Sequence, residues 1–113
     1  AQVERFYQRL QADKLLNQGV QISDPARLDV RGELIVETDV FIDVNTIFQG
    51  VNRLGRGCQI GANCILINAE IGEEAVILPN SYLENVKVGK RATVGPFARL
   101  RPGTELSESA HIG

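Results

Sequence analysis

Stepping along the chain from Val30 in sixes lands on Val36, Ile42, Phe48, Leu54, Ile60 and Leu66. A five-residue step then reaches Ile71, sixes give Ile77 and Leu83, a second five-residue step reaches Val88, and sixes give Val94, Leu100, Leu106 and Ile112. All fifteen positions are Val, Ile, Leu or Phe, which make up only 36 of the 113 residues, so the run marks a repeat and not a composition effect. Four residues after many of these aliphatics stands something small: Cys58, Cys64, Ala75, Ser81, Ala92, Ala98, Thr104 or Ala110. Directly after them stand Gly55, Gly61, Gly72, Gly89, Gly95 and Gly113.

This is the hexapeptide pattern aliphatic-Gly-x-x-small-x, and it predicts a parallel β-helix. In a triple such as Ala98-Arg99-Leu100, strand alternation points the first and third side chains inward and the middle one outward, after which three residues turn a corner. The small residue fits the crowded approach to the corner. The glycine is expected to supply the positive φ a turn can demand. Three hexads close a triangular coil, which stacks the aliphatics in columns: Ile42, Ile60, Ile77, Val94, Ile112; Phe48, Leu66, Leu83, Leu100; and Val36, Leu54, Ile71, Val88, Leu106. About five coils are expected over residues 20–113, the last incomplete, with more coils following in a longer parent polypeptide.

Ahead of the coils the period changes. Val3, Phe6, Tyr7 and Leu10 recur at helical spacing, with Gly19 placed as a C-terminal cap, so residues 1–19 are expected to form one amphipathic α-helix. Asp24-Pro25 marks a turn after it.

Charge and composition narrow the chemistry. A net charge of -2 leaves no basic footprint for nucleic acid, and no apolar run reaches membrane-spanning length. The default expectation is a soluble cytoplasmic protein. Cys58, Cys64 and the single His111 are too few for a four-ligand zinc site, and the two cysteines occupy small inward slots, as buried structural thiols do. His111 falls in an outward slot, where a lone histidine is ordinarily a solvated one. Asp39, Asp43, Glu73 and Glu74 scatter over edges and turns with no catalytic pairing. Two arginines differ in kind. Arg99 is an outward mid-strand residue. Arg101 stands where neighbouring repeats place glycine, on a turn stiffened by Pro102-Gly103, and a rigidly held guanidinium fork suits a phosphate or carboxylate. Spacing alone leaves a solvated corner and an anion contact both open for it.

The stretches "ISDPARLDVRG" and "VGPFARLRPGTEL", set around hexapeptide coils and after an amphipathic helix, resemble the bifunctional bacterial N-acetylglucosamine-1-phosphate uridyltransferase / glucosamine-1-phosphate acetyltransferase family over the whole chain. The resemblance implies a mainly β fold, a left-handed parallel β-helix that assembles as a homotrimer. It implies acetyl transfer from acetyl-CoA to glucosamine-1-phosphate. Uridyl transfer from UTP with Mg²⁺ then gives UDP-N-acetylglucosamine for peptidoglycan and lipopolysaccharide precursors. It also implies that Arg101 is among the residues holding the sugar phosphate. The family's catalytic histidine belongs to a later coil than His111, and its uridyltransferase motifs have no counterpart here. The chain is therefore expected to contain no catalytic and no metal-binding residue, and by itself to bind neither acetyl-CoA nor Mg²⁺. The other readings are a different hexapeptide acyltransferase, such as a serine or sugar acyltransferase, or a non-catalytic β-helix trimerisation module. A γ-type carbonic anhydrase would need several zinc-binding histidines.

Overall fold

The structure is a computed structural model that describes Leu15 and residues 19–113. The helix expected over residues 1–19 falls almost wholly outside the described residues. The described chain is nearly all short strand, wound as a parallel β-solenoid with three faces.

On the first face, Gln21–Ile22, Phe41–Ile42, Gln59–Ile60, Val76–Ile77, Thr93–Val94 and His111–Ile112 pair in parallel, one rung per coil. On the second, Ile47 opens a strand whose first residues pair with Ile65–Ile67, which pair with Tyr82–Glu84, which pair with Arg99–Leu100. On the third, Arg53-Leu54, Glu70–Ile71, Lys87–Val88 and Glu105–Leu106 stack in the same way. Asp29–Val36 runs alongside Ile47–Leu54 over eight residues without a break, so this strand pair spans two faces.

The registers reproduce the three columns read from the sequence. Ile42, Ile60, Ile77, Val94 and Ile112 are Cα partners in succession, as are Phe48, Leu66, Leu83 and Leu100. One rung lay outside the six-residue count: Ile22 pairs with Ile42 after a connection containing a short 3-10 turn at Pro25–Arg27. The column residues Ile42, Phe48, Ile60, Leu66 and Leu83 are completely buried, and Cys58, Cys64, Ala75 and Ala92 fill the small slots beside them. Each large aliphatic so buried contributes about 1.5–3 kcal/mol relative to exposure, which makes the columns the main source of stability.

The corners differ from expectation in one respect. The positive φ falls three residues after the aliphatic, at Asp39, Asn45, Asn63, Glu74, Asn80, Arg91, Phe97 and Ser109, and two residues after it at the five-residue steps, at Asn68 and Asn85. Of the glycines in the repeat slot, only Gly95 has positive φ, at 94°. Gly55, Gly61, Gly72 and Gly89 are required by close approach. A Cβ on Gly55 would lie 2.7 Å from Glu73 N, on Gly61 2.7 Å from Pro79 N, and on Gly72 2.7 Å from Lys90 N, all backbone atoms of the following coil. The alternation of inward and outward side chains thus sets the strands, while coil-to-coil contact sets the glycines.

One long step has its own device. Between Phe48 and Leu54, Asn52 points inward and is fully buried. Its Nδ2 donates to the Gln49 carbonyl at 2.9 Å and its Oδ1 accepts from Ala69 N at 2.9 Å, so the amide replaces backbone pairing lost at that corner.

Candidate substrate-binding site

The corner after the second face carries the candidate site. The residues following the stacked aliphatics there are Gln49, Ile67, Glu84 and Arg101, and none is glycine. Leu83 and Leu100 are register partners, so Glu84 and Arg101 each follow one member of that pair on adjoining coils.

Arg101 is held by its backbone. Its carbonyl accepts from the Thr104 hydroxyl at 2.6 Å and from Thr104 N at 3.1 Å, while Gly103 N donates to the Asn85 carbonyl of the coil before at 2.7 Å. The steps above this corner, Leu66 to Ile71 and Leu83 to Val88, are five residues; the step from Leu100 to Leu106 is six. The turn bearing Arg101 is therefore one residue longer than those it stacks on. Its side chain is exposed and, among the described residues, makes no hydrogen bond or ion pair. An unpaired guanidinium on a fixed turn can accept a phosphate or carboxylate in the bidentate manner such groups favour.

Around it lies an open recess of about 400 Å³, lined by Tyr82, Glu84, Arg99, Leu100, Arg101 and Pro102. The guanidinium of Arg99 lies over the Tyr82 ring, 5.3 Å from its centroid. The Tyr82 hydroxyl donates to Glu84 Oε1 at 3.1 Å, and that hydrogen bond, ahead of partial desolvation, pushes the phenol pKa up. The recess thus has two cations, one carboxylate already engaged and one aromatic wall. Tyr82 and Glu84 were not singled out from sequence, because they lie 17 residues from Arg99 and Arg101 and meet them only through the stacking of coils.

The remaining candidates are placed apart from it. His111 is exposed in an outward slot of the first face, beside Thr93. Cys58 and Cys64 are buried free thiols; burial raises the Cys58 pKa from its ordinary 9.0 to about 12 and raises that of Cys64 as well. Glu73 is tied to Arg56 at 3.4 Å and Lys90 at 3.9 Å. On the third face a second recess of about 340 Å³ is lined partly by Arg53, Glu70 and Lys87, whose charges alternate up the ladder and leave no field of one sign. Among the described residues no three His, Cys, Asp or Glu side chains form a metal-holding group. No helix among them is long and apolar enough to cross a membrane.

Comparison with known proteins agrees with this geometry. Residues 68–102 match the family described as bacterial transferase hexapeptide (six repeats). Over all 113 residues the chain is 50% identical to the bifunctional protein GlmU of Marinobacter nauticus, and it is 50% identical over the same length to that of Cupriavidus pinatubonensis. It spans 25% of the length of each of these curated relatives. Among solved structures, serine acetyltransferase isoform 3 from Entamoeba histolytica, in complex with cysteine, superposes with a TM-score of 0.60 at 15% identity, over 96% of this chain and 40% of the other. At that identity the likeness is one of fold.

Proposed function

We propose, for a chain that is related along its full length to the GlmU bifunctional proteins and carries a hexapeptide transferase β-solenoid, that it is the part of such an enzyme that begins the acetyltransferase domain. In this reading residues 1–19 are the connecting helix and 20–113 the first coils of a left-handed β-helix, in a cytoplasmic homotrimer. The parent acetylates glucosamine-1-phosphate with acetyl-CoA and then uridylates the product with UTP. Mg²⁺ serves the uridyl step; the described residues include no group suited to hold it, and nothing assigned to this chain passes through it.

The observation that carries the reading is Arg101: a guanidinium without an ion-pair partner among the described residues, on a turn fixed by Thr104 and Asn85, beside a recess and within the "FARLRPG" stretch. Its part is to receive the phosphate of the sugar. A bidentate pair would fix the 1-phosphate end and so orient the amino group towards the acetyl donor, which enters as co-substrate. Proton transfer and acetyl transfer belong to coils beyond Gly113, so this segment positions substrate and supplies scaffold.

In the full-length parent, Arg101→Ala should reduce kcat/KM for acetyl transfer by roughly ten- to a hundredfold, the range for losing a charge-assisted contact of about 1.5–3 kcal/mol, and leave uridyl transfer intact. Equal loss of both activities would indicate misfolding, and an unchanged acetyl transfer would end the substrate-contact reading. Sedimentation equilibrium of the parent tests assembly: a monomer with full acetyl transfer would remove the trimer.

A further inference from the structure

Glu84 and Arg101 follow the Leu83–Leu100 pair and line one recess, yet no ion pair joins them. The carboxylate of Glu84 instead accepts from the Tyr82 hydroxyl at 3.1 Å. The other cation of the recess, Arg99, is drawn over the Tyr82 ring at 5.3 Å. One side chain thus engages both the carboxylate that lines the recess among the described residues and the guanidinium that shares it with Arg101.

The geometry points to Tyr82 as a positioning residue that keeps Arg101 uncommitted, its hydroxyl occupying Glu84 and its ring seating Arg99, so that the Arg101 fork is open to the phosphate ester of the substrate. This rests on the reading of Arg101 given under Proposed function. The physical basis is competition. A carboxylate next to an arginine offers the same planar, bidentate partner as a phosphate, and an internal partner must be displaced before a ligand binds. A phenol donating to Glu84 weakens that competitor without removing its charge from the protein. A phenol holds its proton through the neutral range in any case, and the hydrogen bond to Glu84 pushes its pKa further up, so the hydroxyl goes on donating there.

Removing the hydroxyl alone tests this. In the full-length parent, Tyr82→Phe keeps the ring under Arg99 and releases Glu84 towards Arg101. The KM for glucosamine-1-phosphate should rise about two- to fivefold, the scale of an exposed ion pair acting as competitor, with kcat and uridyl transfer unchanged. The double variant Tyr82→Phe/Glu84→Gln, which removes the competing charge, should return KM to the parent value. A merely structural tyrosine would give no such rescue. An unchanged KM in Tyr82→Phe, or a raised KM that Glu84→Gln fails to restore, overturns the positioning role. Arg101→Ala in the same assay separates the two readings. If it cripples acetyl transfer while Tyr82→Phe is silent, only the role of Tyr82 falls. If Arg101→Ala is itself silent, the phosphate-contact reading falls, and with it the premise here.

Discussion

Gly72 and Gly103 look alike in the sequence and answer to different constraints. Gly72 has no positive φ, but a Cβ there would meet Lys90 N at 2.7 Å; Gly103 sits at φ 88° with nothing within 4 Å. Asparagine tolerates left-handed backbone, and Asn68 and Asn85 take it at the stacked corners above. Gly103→Asn should therefore change stability by less than about 0.5 kcal/mol, whereas Gly72→Asn should cost about 1–3 kcal/mol through overpacking. Urea unfolding of both variants checks this; equal tolerance would mean that backbone angle, not coil contact, governs the repeat glycine. Arg101 shows the same difference of viewpoint. Compared with its neighbours along the chain it replaces a glycine, but compared with the residues it stacks on, Gln49, Ile67 and Glu84, a side chain at that slot is the rule. The buried thiols supply a pH test. Cys58 keeps its proton to about pH 12 when folded, whereas an unfolded thiol loses it near 9.0. Between those values the folded state binds the extra proton, so stability is unaffected below pH 9.0 and falls as pH rises through that window. Cys58→Ala should flatten part of the alkaline decline in the urea midpoint; an identical decline would show that other groups cause it.

At the level of elements, a two-residue strand has almost no stability of its own, and the inner strands of each ladder are stabilised by the rungs on both sides. Leu66, with zero exposure, joins Phe48 and Leu83 in one column. Leu66→Ala should cost about 2–5 kcal/mol, against clearly less for Leu106→Ala, whose side chain is only partly buried. Asn52 belongs to the same scale. It lies in a corner whose backbone cannot complete the ladder, and Asn52→Ala would leave Ala69 N without its partner, while the Gln49 carbonyl would lose one of two donors and keep Asn68 N at 3.1 Å. A loss of about 1–3 kcal/mol is expected, measured by thermal or urea unfolding; a near-neutral result would show that water replaces the amide. The columns could be read by counting sixes, because burial on one face of a short strand imposes a strict spacing. The role of Asn52 could not, since a polar residue in an inward slot reveals its partners only when the coil carrying Ala69 is laid beside it.

The described coils form a one-dimensional stack in which each coil touches only its neighbours, as when Gly61 N bonds to the Ile77 carbonyl of the next coil at 2.7 Å. The same linear order explains how the lining of the recess is assembled: residues 17 apart, such as Tyr82 and Arg99, become neighbours without any loop excursion.

The amino-acid sequence by itself determined the period, the inward columns, the buried cysteines and the slot of Arg101, because each depends on spacing within one or two hexads. It left the meaning of its glycines and the surroundings of Arg101 undetermined. Those depend on which residue of the next coil lies opposite, and that is decided by the five- and six-residue steps accumulated over a full turn. Only the stacked structure showed that a Cβ at Gly72 would meet Lys90 N, that Glu84 accepts from Tyr82, and that Arg101 has no ion pair among the described residues.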